Sequence, residues 1–389
     1  MVGLYSRSSA RSSENASLSR SSGKTAFFQK TLSLGIPRFG QATEGTPPEP
    51  IQPEGFYKKP NPIIVDPAQN KRFVVVGDSG AGEPFVQKFV GVLQRLFEKT
   101  PFASVLMLGD NVYGQADLGR HDLDGSPSMF ESRIKQPFQT LLQKGVQLFG
   151  ILGNHDVRGK EEVAQLQYLG VPRFYSFTRG NTDFFALDTT ILLPHYDSTY
   201  KDRTGMANDE SRKMLSWLDT ALRESKSKYR VVMGHYPMYC SGRYNNRGIN
   251  AELIRMFLQP LLIKHQVDLY LCGHEHHYER SEPIYGLRHI LSGSASKMTK
   301  KIKHAEDPPY PRAKLERQNQ IMILEETDAG LTFQAINPEG TVIDSGLIPA
   351  RERTPLDPAT NPPNQSAAQL FAFVKKATEF LHPPESEAS

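Results

Sequence analysis

Val105-Leu106-Met107-Leu108 runs directly into Gly109-Asp110-Asn111-Val112-Tyr113-Gly114, and this passage decides how the chain folds. Four apolar residues ended by glycine are too few for a helix and read as a buried strand. The carboxylate that follows then stands at the strand's carboxyl end. The pattern recurs on both sides. Phe73–Val76 leads into Gly77-Asp78-Ser79-Gly80, and Val146–Leu152 into Gly153-Asn154-His155-Asp156. Tyr229–Met233 leads into Gly234-His235-Tyr236-Pro237, and Val267–Cys272 into Gly273-His274-Glu275-His276-His277. Phe184–Leu187 is a further apolar run of the same kind.

Amphipathic segments lie between these runs. Pro84–Lys99 places Phe85, Phe89, Val92, Leu93 and Leu96 on one helical face. Asn208–Arg223 offers Asn208 or Asp209 as a cap, then Met214, Leu215, Leu218 and Leu222 at helical spacing. Asn250–His265 repeats the scheme, with Pro260 expected to kink or end it. Strands alternating with helices imply an α/β core. Gln320–Ile348 reads as strands joined at Asp328-Ala329-Gly330 and Pro338-Glu339-Gly340, extending the sheet or supplying a second one.

Outside this core the composition changes. Residues 1–69 form a Ser/Arg- and Pro-rich leader expected to be disordered. Residues 70–350 form the folded domain that carries these loops. Residues 351–389 are a Pro-rich tail in which Ala367, Leu370, Phe371, Val374, Ala377 and Leu381 mark one face of a short helix. That helix docks on its own domain or meets a partner or membrane surface. The first 30 residues lack the apolar core of a secretory signal, and their acid-poor composition is compatible with an organelle-targeting leader. Compartment is otherwise undetermined.

The 389 residues carry 46 basic and 42 acidic side chains, a net charge of +4. Residues 1–43 hold +5 of it, so the rest of the chain is near neutral and offers no basic face for nucleic acid. No apolar run is long enough to span a membrane, and no protein partner is evident. The two cysteines, Cys240 and Cys272, exclude a disulfide-stapled scaffold and are expected as buried thiols.

In an open α/β sheet, ligands bind beyond the carboxyl ends of the strands, so the five Gly-led loops converge on one site. They offer two carboxylates, a carboxamide, a phenol and several imidazoles. Oxygen and imidazole donors without thiolate suit Fe, Zn or Mn. Seven such groups exceed what one ion takes and suit two ions sharing a carboxylate. His121, Asp122, Asp124, His195, His265 and His289 lack this context and read as surface or structural.

The ordered set resembles the calcineurin-like metallophosphoesterase superfamily, and within it the purple acid phosphatases. Most superfamily members carry Asp-x-His in the first motif. Here it is Asp78-Ser79-Gly80, while Tyr113 follows Asp110 by three residues as in purple acid phosphatases. The resemblance covers about residues 71–348. It implies a four-layer α/β/β/α fold, a β-sheet sandwich flanked by helices. It also implies a dinuclear centre of Fe(III) plus Fe(II), Zn or Mn. Asp78, Tyr113 and His276 would bind the first ion, Asn154, His235 and His274 the second, and Asp110 would bridge them.

The implied activity is hydrolysis of a small phosphorylated substrate, a phosphate monoester, by a metal-bound hydroxide: an acid phosphatase of purple type. His155 would stabilise phosphoryl oxygens or protonate the leaving group, and Asp156 would orient His155 or its loop. The family's second acid/base His is absent from Ser241-Gly242-Arg243-Tyr244-Asn245-Asn246. Arg243, Tyr244 or His277 would replace it. Lys297, Lys300, Lys301 and Lys303 read chiefly as a solvated basic loop, with steering of anions as the sharper alternative. A phosphodiesterase of the same superfamily and a non-catalytic metal-binding scaffold are the competing readings.

Overall fold

The computed structural model describes residues 70–353 apart from 83, 114–126, 158–161, 194–208, 244–248 and 309. The leader, the tail helix, Tyr244 and all residues from 114 to 126 lie outside the described residues, and His121, Asp122, Asp124 and His195 with them.

The described elements run β1 (Arg72–Val76), α1 (Phe85–Lys99), β2 (Ser104–Met107), α2 (Pro127–Phe130), a π-helical turn (Glu131–Lys135), α3 (Gln136–Gln143) and β3 (Gln147–Gly150). There follow α4 (Glu162–Leu169), β4 (Tyr175–Arg179), β5 (Thr182–Ala186), a short 3-10 turn (Thr189–Leu192), α5 (Asp209–Glu224), β6 (Tyr229–Met233), α6 (Ile249–Lys264) and β7 (Leu269–Cys272). The last strands are β8 (Tyr278–Ser281), β9 (Arg288–Ser292), β10 (Arg312–Glu316), β11 (Ile321–Thr327), β12 (Gly330–Ile336) and β13 (Val342–Ile348).

They form two mixed sheets, ordered β13-β12-β11-β1-β2-β3 and β10-β8-β9-β7-β6-β5-β4. Alternation along each strand builds the layers. In β1, Phe73 and Val75 join Phe184, Tyr229, Val231, Leu269 and Leu271 of the second sheet in the core between the sheets. Val74 and Val76 point the other way, into a cluster with Phe89 and Leu93 of α1 and Phe138 of α3. In the second sheet Phe185, Val232 and Tyr270 face Met214 and Leu218 of α5 and Leu258 and Leu262 of α6. The result is the expected helix–sheet–sheet–helix sandwich.

The parallel strands set up the site. Val76, Met107 and Gly150 stand side by side in the first sheet. Ala186 and Met233 are paired in the second, and Met233 with Leu271. The loops after these strands therefore emerge together at one end of the sandwich. The final three strands extend the first sheet, with β11 antiparallel to β1. Pro260 neither ends nor replaces its helix: α6 continues to Lys264. Buried Ile254 and Leu258 before the proline and Leu261 and Leu262 after it hold both halves against the second sheet. That packing outweighs a proline cost of about 3 kcal/mol. Both cysteines are buried free thiols. No described helix is long and apolar enough to cross a membrane.

Candidate metal centre

The five Gly-led loops meet at the carboxyl ends of β1, β2, β3, β6 and β7. Asp78, Asp110 and His274 adopt left-handed backbone conformations, with φ of 54°, 50° and 73°. Such values are uncommon for side-chain-bearing residues and persist where the surroundings over-determine them. Here the loops are locked to one another: Asp78 N–H donates to the Gly109 carbonyl at 3.1 Å, and His274 N–H to Asp78 Oδ2 at 2.8 Å.

Two donor groups form, and Asp110 belongs to both. One is Asp78, Asp110 and His276; the other is Asp110, His235 and His274. The Tyr113 hydroxyl enters the first, lying 2.8 Å from Asp78 Oδ1, 2.9 Å from Asp110 Oδ2 and 3.2 Å from His276 Nε2. Asn154 enters the second, with Oδ1 at 3.2 Å from His235 Nε2. His235 Nε2 is also 3.4 Å from Asp110 Oδ1 and 3.2 Å from His274 Nδ1. All seven residues expected as ligands are thus brought together.

The donor set fits metal ions. An ion held at about 2.0–2.2 Å by N and O donors sets neighbouring donors about 3 Å apart, the spacing seen here. Buried and near two carboxylates, the Tyr113 phenol is held well above its ordinary range. Burial works against the Asp110 carboxylate, but His235 and His155 hold it well below the usual range. Burial pulls His235 down, yet Asp110 and Asp78 leave it pushed up to about 9. Burial and the neighbouring His235 drive His274 well below its usual value. One O–H proton cannot serve both carboxylates beside Tyr113, whereas a cation among these donors satisfies all of them and reverses the bias on the phenol. The His235 Nδ1 contact with the Leu108 carbonyl, 2.8 Å, places the N–H there and aims Nε2 at Asn154 and Asp110.

Gly80 explains the missing first-motif histidine. A Cβ at Gly80 would lie 2.3 Å from the Asn111 carbonyl carbon and oxygen. Its N–H donates to the Asp110 carbonyl at 3.1 Å, and its own carbonyl accepts Tyr113 N–H at 3.0 Å. The absence of a side chain at Gly80 is what lets the loop carrying Tyr113 pack this closely.

The other expected residues separate. His155 donates its backbone N–H to Asp110 Oδ1 at 2.8 Å, and its ring is 4.4 Å from that of Tyr113. Asp156 is fully buried and accepts backbone N–H groups from Gly153, Asn111 and Val112 at 2.8–3.2 Å, tying the second loop to the third. Arg243 is exposed at the end of its described loop segment. His277 is buried with Nε2 on Glu279 at 2.8 Å, which removes it as a stand-in acid/base. His265 pairs with Asp219, and His289 is buried beside Cys272.

Lys297 departs from the solvated loop expected of its basic run. Its ammonium lies over the Tyr113 ring, 3.6 Å from the centroid, whereas Lys300, Lys301 and Lys303 are exposed. Its sequence position alone carries no signal for this placement.

Residues 71–278 match the calcineurin-like phosphoesterase family model. The chain is 28% identical to mouse tartrate-resistant acid phosphatase type 5 over 264 residues, covering 62% of this chain and 78% of that protein. Among solved structures it is similar to a purple acid phosphatase from yellow lupin seeds. That match has a TM-score of 0.55 and 18% identity, and covers 75% of this chain and 58% of the other. It is also similar to GAP50, described as the anchor in the inner membrane complex of Plasmodium. There the TM-score is 0.58 and the identity 20%, with coverage of 78% and 94%. Both structural likenesses speak to the fold.

Proposed function

The chain belongs to the calcineurin-like phosphoesterase family, and we propose that within it this protein is a purple-type acid phosphatase hydrolysing phosphate monoesters at a dinuclear metal centre. The observation that carries the reading is the Tyr113 hydroxyl within hydrogen-bond distance of Asp78, Asp110 and His276, on a loop that Gly80 alone admits. A phenol in that position is the donor a trivalent iron favours.

Asp78, Tyr113 and His276 would hold one ion, Asn154, His235 and His274 the other, and Asp110 both: Fe(III) with Fe(II), Zn or Mn. When bound, the pair supplies Lewis acidity toward phosphoryl oxygens and acidifies water. The chain's own groups do the rest. The Leu108 carbonyl and the Asp156 carboxylate fix the loops that present the donors. His155, adjoining Asn154 and packed by Tyr113, gives its proton to the leaving oxygen of the ester. Arg243, on the solvent side, binds the incoming phosphate. The scaffold reading loses support because every expected donor is present and gathered.

Elemental analysis of the purified protein, with turnover of a monoester and a diester, tests this. Iron, a visible absorption band that disappears in Tyr113→Phe, and preference for the monoester are expected. Divalent ions alone with no band would sink the purple-type assignment, and a strong diester preference would move the substrate class.

A further inference from the structure

We propose that Lys297 is a substrate-binding residue of this centre, its ammonium taking a non-bridging oxygen of the phosphate group. The proposal rests on the dinuclear phosphatase reading above and adds a residue that reading did not contain.

The placement of Lys297 is built by the fold. It follows β9 in a loop pinned to the ligand-bearing loops on both sides. Ala295 N–H donates to the Gly77 carbonyl at 3.1 Å, and Ser296 Oγ donates to the Asp78 carbonyl at 2.8 Å while accepting Ala81 N–H at 3.0 Å. Two residues beyond Lys297, Thr299 N–H donates to the His276 carbonyl at 2.8 Å. The segment is therefore anchored to the backbone of Asp78 on one side and of His276 on the other. Both anchors are candidate ligands of the same ion, and the side chain between them lies over Tyr113, a third.

The chemistry follows from that position. Lys297 is half-buried, whereas Lys300, Lys301 and Lys303 of the same run stand exposed, so a positive charge has been drawn in beside the donors and still reaches solvent. A phosphate monoester brings an anion to these donors, and an ammonium beside them makes a charge-assisted hydrogen bond to it. Such a residue binds charge and donates a hydrogen bond without having to act as the leaving-group acid.

Inorganic phosphate is the probe, titrated calorimetrically into metal-loaded full-length protein. Lys297→Met is expected to weaken phosphate binding by about 10-fold or more, the scale of one hydrogen bond to a charged group, with the metal content and visible band retained. Lys297→Arg should recover most of the affinity, and Lys300→Met should bind as the wild type does. Wild-type phosphate affinity in Lys297→Met, or loss of its ions, overturns the proposal. Phosphate binding is read without turnover, so a wild type that fails to hydrolyse monoesters would sink the functional reading and leave this measurement standing.

Discussion

The two ends of the sandwich treat buried carboxylates in opposite ways. At the amino ends of the parallel strands, Asp268 accepts Arg351 Nε at 3.0 Å, Arg353 Nη2 at 2.6 Å and Arg230 N–H at 2.8 Å. Glu326 accepts Lys71 Nζ at 2.9 Å, Asn181 N–H at 2.8 Å, Asn181 Nδ2 at 2.7 Å and Thr182 Oγ1 at 3.0 Å. Those acids are neutralised and saturated with donors. At the carboxyl ends, Asp78 and Asp110 both turn an oxygen toward one phenol, on backbones with positive φ. Buried charge left this close to other acceptors is costly unless a cation joins it. One end is arranged for stability; the other holds its carboxylates in a state that a ligand completes.

The largest expected effect breaks the comparison at Asp110. Asp110→Asn removes the group common to both donor clusters. Hydrolysis should fall by at least about 100-fold, since even outer partners of metal ligands cost 10–100-fold. The chelated protein should also lose some stability near neutral pH, because, despite burial, His235 and His155 hold the Asp110 carboxylate below its usual range. The loss of turnover is what separates it from the far end: turnover that survives in the folded fraction would mean that Asp110 is a structural acid like those. Asp268→Asn should cost stability only. Its arginines are partly exposed, so the cost is about 1–3 kcal/mol, below that of a wholly buried ion pair. Turnover of the folded fraction should not change. Denaturant titration with an activity assay separates the two outcomes.

How much of this was readable in advance follows the same division. β1, β2, β6 and β7 are largely apolar on both faces because helices cover one side and the other sheet the other, so each reads as an apolar run, interrupted in β6 by Arg230. The turns at Gly330 and Gly340 marked β11 to β13 by turn chemistry alone. The loops carrying the seven donors were legible because each follows such a run, and the family resemblance then singled out Tyr113 and His276, five and four residues beyond Leu108 and Cys272. β8 was not: its Glu279 sits inside the sheet, and besides the nearby His277 the groups that make that burial tolerable, Ser241 and Tyr310, are distant in sequence. β4 is half-exposed and carries no apolar run. Asp156 was expected to orient His155 or its loop, but its partners were not legible: its oxygens are bound to backbone N–H groups of two loops, one of them 45 residues away. Lys297 depends on hydrogen bonds from Ser296 to a loop 218 residues away, which no local pattern encodes.

Glu279 sharpens the comparison because it lies behind the site yet behaves like the acids of the far end. It accepts Ser241 N–H at 2.7 Å and His277 Nε2 at 2.8 Å, and also the hydroxyls of Ser241 and Tyr310. Burial raises its pKa, but these hydrogen bonds outweigh burial and hold it below the usual range. A carboxylate with a depressed folded pKa contributes stability above its unfolded pKa and loses it as pH falls through the folded value. Glu279→Gln should therefore cost about 1–3 kcal/mol at pH 7. The gap to wild type should close as pH drops below the ordinary Glu range, near 4.3. Denaturant midpoints at several pH values, measured on chelated protein, check this. A gap that persists at low pH would assign the cost to packing and not to charge.

The smallest effect is expected at Lys71, and it asks what neutralises the far end. The Lys71 side chain is 40% exposed while that of Glu326 is 4% exposed, so the pair is screened on one side only. Glu326 also accepts three donors from Asn181 and Thr182, which belong to the second sheet's hairpin, while Glu326 belongs to the first sheet. Those donors join the two sheets; the lysine only adds charge from solvent, and exposed ion pairs contribute little. Lys71→Met should shift the unfolding midpoint barely at all, and added salt should erase the shift. Thr182→Val, which removes a buried hydroxyl from the same carboxylate, should cost more than Lys71→Met. If the order were reversed, long-range charge and not local hydrogen bonding would hold the seam, and the contrast between the two ends would be one of net charge alone.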